Sequence, residues 1–209
     1  MKLIVPKQTL LEAINVVQRA IMPKATQPVL EGIYLDAGET LKLIGNNFDF
    51  AVEYNVDADI IDKGSIVINA RIFGDIIRKL PDAPVYIEVT NNYRVKIECL
   101  STYFEIVGMD ADSYPMPSIY ENENLSFSIS QTAFKDLIKQ TIFAVGSDEN
   151  RKIMTGVLIE VDNNEVNIAA LDGFRMAVSN TLIKENIKFS VVVPGKNMSE
   201  VMKILESNE

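Results

Sequence analysis

The chemistry open to this sequence is that of carboxylates and of basic side chains. The chain has 209 residues, no histidine and one cysteine, Cys99. A Ser–His–Asp triad, a Cys–His dyad and a zinc site of thiolates and imidazoles are therefore excluded within it. Asp110, Asp112, Asp172 and the pair Asp148-Glu149 have the side chains to bind magnesium or move protons. Nothing in their spacing brings two of them together. Asp172-Gly173 lacks the Thr or Ser that follows in an aspartic protease, and no glycine-rich loop ends in Lys-Ser or Lys-Thr. No catalytic residue, metal or cofactor is expected.

The basic residues carry a clearer pattern. Arg71 and Arg78 are seven apart, as are Lys196 and Lys203, while Lys135 and Lys139 are four apart. Each spacing puts both charges on one face of a helix. The segments 7–20, 71–80, 131–143 and 195–205 read as helices, and they hold nine basic against four acidic residues. The rest of the chain holds eleven basic and twenty-five acidic residues, and the net charge is −9. The bulk figure argues against nucleic acid. The local excess on helices fits a polyanion held by its backbone, without sequence reading. Any one lysine on a surface helix needs no such explanation; the asymmetry between helices and strands is the signal.

An internal repeat positions these charges. Gly32 with the apolar run after it corresponds to Gly156, 124 residues on. Leu41–Ile44 corresponds to Val166–Ala169, Phe50-Ala51-Val52 to Met176-Ala177-Val178, and Ser65–Arg71 to Ser190–Lys196, at offsets of 125 or 126. Gln8–Leu11 matches Gln131–Phe134, and Arg78 matches Lys203. One unit reads as a strand at 3–5, a helix with Leu10, Ile14, Val17 and Ile21 on its apolar face, and strands at 33–36, 41–45, 51–56 and 65–68. A second helix over 71–80 follows, ended by Pro81, and then strands at 85–89, 95–99 and 103–107. Asn91-Asn92 is expected to turn the first of these hairpins. Ile72, Ile76 and Leu80, with Val201 and Leu205 in the second copy, are expected to pack on the sheet. Residues 110–118, rich in proline, read as the linker to a unit beginning near Leu125. The second copy stops after its second helix, about 35–40 residues short of the first, so the chain reads as a fragment of a longer protein.

The composition, 47% hydrophobic and 23% charged, is that of a soluble globular protein. No apolar run reaches the roughly 20 residues of a membrane helix, and Pro6 interrupts the N-terminus too early for a secretory signal. With the single cysteine, a cytoplasmic location is expected.

Several segments resemble the bacterial DNA polymerase III beta subunits, the sliding-clamp family. They are Met1–Val5 before the first helix, Lys24–Leu30, Asn69-Ala70-Arg71, Asp110–Pro115, Thr155-Gly156-Val157 and Ala170–Ala177 (Ala-Leu-Asp-Gly-Phe-Arg-Met-Ala). The resemblance implies an α+β DNA clamp fold of repeated units, each with two helices on antiparallel sheet. Residues 1–119 would be a first clamp domain, 120–209 a truncated second, and the third would be absent. It further implies a homodimeric ring that encircles duplex DNA and tethers the polymerase for processive replication, without catalysis of its own. Lys24, Arg71, Arg78, Lys79, Lys135, Lys139, Lys196 and Lys203 would meet the DNA. Met154, Leu171, Gly173, Phe174, Arg175 and Met176 would form the part present here of an apolar pocket for linear motifs. Its ligands would be the polymerase III alpha subunit, the clamp loader and other clamp-motif proteins. Read alone, Met154 and Met176 fit ordinary core packing equally. Phe104 and Ile106 would sit at the ring contact; their period-two spacing equally fits the core of their own unit. The competing reading is a non-catalytic interaction scaffold of repeated α+β units that does not bind DNA.

Overall fold

The computed structural model describes residues 1–118 and 126–205. The chain divides into two compact units, Met1–Ser118 and Ile119–Glu209. Unit 1 runs β1 (Lys2–Pro6), α1 (Lys7–Val17), β2 (Gly32–Ala37), β3 (Leu41–Asn46), β4 (Ala51–Val56), β5 (Asp59–Asp62), β6 (Gly64–Asn69), α2 (Ala70–Lys79), β7 (Pro84–Val89), β8 (Arg94–Cys99) and β9 (Thr102–Val107). Unit 2 runs α3 (Gln131–Thr141), β10 (Gly156–Asp162), β11 (Glu165–Leu171), β12 (Met176–Leu182), β13 (Phe189–Pro194) and α4 (Gly195–Ile204). Both are α+β.

The repeat is visible in the strand order. Unit 1 has a four-stranded sheet β4-β3-β2-β6, and unit 2 has β12-β11-β10-β13, with corresponding strands in corresponding places. Register repeats too: Gly32 faces Asn69 across β2 and β6, and Gly156 faces Pro194 across β10 and β13. The two glycines have one physical reason. A Cβ on Gly32 would lie 2.4 Å from Val67 Cγ1, and one on Gly156 would lie 2.4 Å from Val192 Cγ1. Unit 1 carries a second antiparallel sheet, β5-β1-β7-β8-β9. β5, framed by Asp59 and Asp62, pairs with β1 and was not expected, because a four-residue strand with charged ends shows little alternation.

In each unit the helices pack on the sheet and on each other. Leu10, Ala13, Ile14 and Val17 form the buried stripe of α1, at the spacing an amphipathic helix requires. Asn69 caps α2 by accepting a hydrogen bond from the Ile72 N–H at 3.2 Å, and Ser130 caps α3 through the Ala133 N–H at 3.2 Å. The buried face of α2 is Ala70, Phe73, Gly74 and Ile77, continued by Leu80. This corrects the expectation for Ile72, which is 50% exposed. Phe73 and Ile77 are four apart and take the core stripe, so Ile72 is rotated off it. The place of Phe73 is filled in α4 by Met198, also buried, whereas Val201 and Leu205 are half-buried.

The segment read as a linker is largely part of unit 1. Met109 exchanges backbone hydrogen bonds with Val67 at 2.7 and 3.1 Å. Tyr114 is buried against Leu30, Ile44 and Val67, and its hydroxyl donates to the Ile44 carbonyl at 3.3 Å. Burial raises its phenol well above the ordinary value. Asn46 Nδ2 donates to the Pro115 carbonyl at 2.7 Å. The prolines suggested a loop, but one aromatic anchor and one buried amide hold the segment down.

Gly32→Ala and Gly156→Ala should each lower stability by about 1–3 kcal/mol, because the added methyl meets a valine on the paired strand. Gly38→Ala, with open space around the position, should change it by less than about 0.5 kcal/mol. Urea denaturation of the three variants measures this.

Candidate functional site

The cations fall on the helix faces that the core leaves outside. Arg71, Arg78 and Lys79 are exposed on α2, Lys139 on α3, and Lys196 and Lys203 on α4. Lys24 is exposed in the loop between α1 and β2. Three of the expected DNA contacts also have a protein partner. Lys135 is half-buried, and its Nζ donates to the Leu205 carbonyl at 2.8 Å, closing the C-terminus of α4; a cation there answers the unpaired carbonyls of the last turn. Arg78 and Lys203 do not stand alone. Arg78 Nη1 lies 3.0 Å from Asp75 Oδ1, and Lys203 Nζ lies 2.5 Å from Glu200 Oε1. In unit 1, Arg71, Asp75 and Arg78 line one open groove of about 610 Å³ with Gln18, Ile21 and Glu31.

The second site is a cavity of about 430 Å³ in unit 2, lined by Val145, Gly146, Ser147, Asp148, Arg151, Met154, Asp172, Phe174 and Arg175. Its rim is the β11–β12 turn. Asp172 Oδ1 accepts hydrogen bonds from the Phe174 and Arg175 backbone N–H groups at 2.9 and 3.0 Å, and Arg175 Nε donates to Asp172 Oδ2 at 2.9 Å. Gly173 takes φ +91°, a conformation that favours glycine. The turn presents Phe174 at 99% exposure and Met176 at 65%. The Arg175 guanidinium lies 5.8 Å from the Phe143 ring centroid. On the far side, the Gly146 N–H donates to the Met154 carbonyl at 2.8 Å.

Of the six residues expected in this pocket, Met154, Phe174 and Arg175 line it. Leu171, Gly173 and Met176 build the turn beside it and do not line it. Val145, Gly146, Ser147 and Arg151 were missed; their signal was the repeat itself, since they follow α3 as residues 21–27 follow α1. Asp148 and Asp172, weighed as acids or metal ligands, are both present. The two backbone N–H groups beside Asp172 hold its carboxyl below the usual aspartate range, so it stays ionised and serves the turn. Asp148 accepts from the Asn150 N–H at 3.0 Å. Among the described residues, no three acidic or cysteine side chains group to hold a metal ion.

Phe104 and Ile106 lie on β9, the edge strand of its sheet. Their half-buried side chains pack on the core of unit 1, so the side-chain face they offer is inward. The outward face of β9 carries Tyr103, Glu105 and Val107. Glu105 accepts from the Tyr103 hydroxyl at 2.8 Å and pairs with Arg94. Both contacts lower the Glu105 carboxyl from its ordinary value.

The β3–β4 turn of unit 1 makes the turn of Asp172 with an amide: Asn47 Oδ1 accepts from the Asp49 and Phe50 N–H groups at 3.1 and 2.9 Å. Asp172→Asn should therefore keep the turn. A lowered aspartate pKa means the carboxylate favours the turn above the ordinary aspartate range and loses it as pH falls through the lower folded value. Protection of the Phe174 and Arg175 amides from exchange, taken relative to the intrinsic rate at each pH, should fall in acid in the parent chain, and the asparagine variant should lose that fall.

Residues 1–118 match the family described as DNA polymerase III beta subunit, N-terminal domain, and residues 128–209 match its central domain. The chain is 36% identical over its whole length to the beta sliding clamp of Bacillus subtilis and 32% identical to that of Halalkalibacterium halodurans. It spans 58% of the length of each of these curated relatives. The crystal structure of the Bacillus subtilis sliding clamp superposes with a TM-score of 0.95, at 34% identity over 100% of this chain and 58% of that one. A DNA polymerase III beta subunit structure from Eubacterium rectale gives 0.92, at 36% identity over 98% and 56%. With both units matched in order and the repeated sheet shared, the chain belongs to the DNA polymerase III beta subunit family.

Proposed function

We propose that this chain supplies the first domain, residues 1–119, and a truncated second, residues 120–209, of a sliding clamp. The ring it helps to form encircles duplex DNA and tethers the replicative polymerase for processive synthesis. It breaks no bond. It works in the cytoplasm beside the polymerase III alpha subunit and the clamp loader. The observation that carries the reading is the repetition of exposed cations on corresponding helices of two units in an otherwise acidic chain. A clamp must hold DNA and still let it pass. Phosphate contacts from helix faces do this, because they carry no sequence information that would trap the ring at one site.

The ring would close through backbone pairing at an edge strand such as β9, with Phe104 and Ile106 stiffening that edge from within. The cavity beside the β11–β12 turn would take short apolar motifs from partner proteins. Met154, Met176 and Phe174 give it an adaptable surface that can serve several ligands. No helix among the described residues is long and apolar enough to cross a membrane.

Titration of the isotope-labelled chain with a duplex of about 20 base pairs at low salt should shift α2, α3 and α4 resonances, with little dependence on base sequence. Arg78→Ala with Lys203→Ala should weaken binding at least about threefold and reduce the salt slope by about one. An unchanged slope would leave the scaffold reading in its place. A polymerase-derived motif peptide should shift Met154, Phe174 and Met176; shifts confined to unit 1 would overturn the pocket assignment.

A further inference from the structure

Each unit carries the same three-residue charge pattern on its second helix. In α2 the order is Arg71, Asp75, Arg78; in α4 it is Lys196, Glu200, Lys203. The carboxylate follows one cation by four residues and precedes the other by three, so all three share one helix face. The offset between the two patterns is 125, the offset of the repeat itself. In both copies the carboxylate pairs with the later cation, at 3.0 Å in α2 and 2.5 Å in α4. In unit 1 all three side chains line the same groove.

Stability does not account for the pattern. Asp75 and Arg78 are each about half exposed, as is Lys203, with Glu200 at 29%, and pairs one turn apart at such solvent-screened positions contribute little to folding. Neither carboxylate caps its helix: Asn69 caps α2, and Pro194, at the N-cap of α4, provides no side-chain cap. Both carboxylates lie inside the helix rather than in the first turn, where the dipole would reward them.

We propose that Asp75 and Glu200 are tempering residues for the polyanion-binding face: each shields the cation beside it and holds down the attraction for DNA phosphates. This rests on the reading of the helix faces as the DNA-binding surface. A carboxylate about 3 Å from a guanidinium or ammonium already occupies part of its field, so fewer counterions leave the DNA when that cation arrives. Contact then depends on a competition between two anions, the carboxylate and a passing phosphate. Nearly balanced exchange gives weak, rapidly broken contacts in both units. An unshielded pair of helices would bind tighter and move less freely along the duplex.

The test compares the parent chain, Asp75→Asn with Glu200→Gln, and Arg78→Ala with Lys203→Ala. Each is titrated with the same duplex by resonance shifts between about 20 and 150 mM salt. The neutralised-acid variant should bind at least about threefold tighter and steepen the slope of log K against log salt by about one. Asp75→Glu with Glu200→Asp, which keeps the charges, should behave as the parent. A thermal midpoint close to the parent's identifies the change as one of binding rather than folding. Affinity and slope unchanged in the neutralised-acid variant, with weaker binding in the cation variant, would overturn the tempering role and leave the DNA reading standing. Weaker binding in the neutralised-acid variant would show that the carboxylates orient the cations, and would also overturn it. No change in either variant would overturn both.

Discussion

Each helix of this chain can bury only one stripe, and the antiparallel sheet beneath decides which. Phe73 and Ile77 in α2, Met198 in α4, and Leu10, Ile14 and Val17 in α1 occupy those stripes, where the sheet and the neighbouring helix offer apolar contact. Long charged side chains are then forced outward. The surface chemistry of the helices is in this sense a residue of core packing. The same constraint, applied twice along the chain, yields the same charged face twice.

Close approach between the strands is what lets the constraint repeat. Gly32 and Gly156 each sit against a valine on the paired strand, at distances that no side chain would tolerate. The turns at the sheet ends repeat as well, with Asn47 and Asp172 making the same pair of backbone contacts by different chemistry. The units then diverge in what surrounds this frame. Unit 1 seals its sheet with Tyr114 and the Met109 bridge. Unit 2 instead presents Phe174 and Met176 beside an open cavity. A common scaffold thus carries an open groove lined by Arg71, Asp75 and Arg78 in one unit and a cavity rimmed by exposed apolar side chains in the other.

Much of this was legible in the residues. Alternation and turn residues located all but one of the strands of unit 1, because most are five or more residues long and flanked by glycine, proline or asparagine, and the internal repeat carried four of them over to unit 2. β5 escaped because two of its four residues are aspartates. The basic helix faces were legible from spacing alone. The partners of those cations were not: the Asp75–Arg78 and Glu200–Lys203 pairs depend on rotamers, and the Lys135 contact with Leu205 spans 70 residues of sequence. Three of the nine residues lining the cavity, Met154, Phe174 and Arg175, were found by likeness. The four that were missed, Val145, Gly146, Ser147 and Arg151, lie on a stretch with no regular strand or α-helix, between α3 and β10, where periodicity carries no information. Reading 110–118 as linker gave proline too much weight and one tyrosine too little.

The central claim is that polyanion contact belongs to the helices and not to the strands. Lysine acetylation footprinting with and without duplex DNA tests it directly. The account predicts protection at Lys79, Lys139, Lys196 and Lys203 on the helices. Lys42 and Lys96 on strands, and Lys63, Lys184 and Lys188 in the connections, should react unchanged. Uniform protection, or protection confined to the strand and loop lysines, would contradict it.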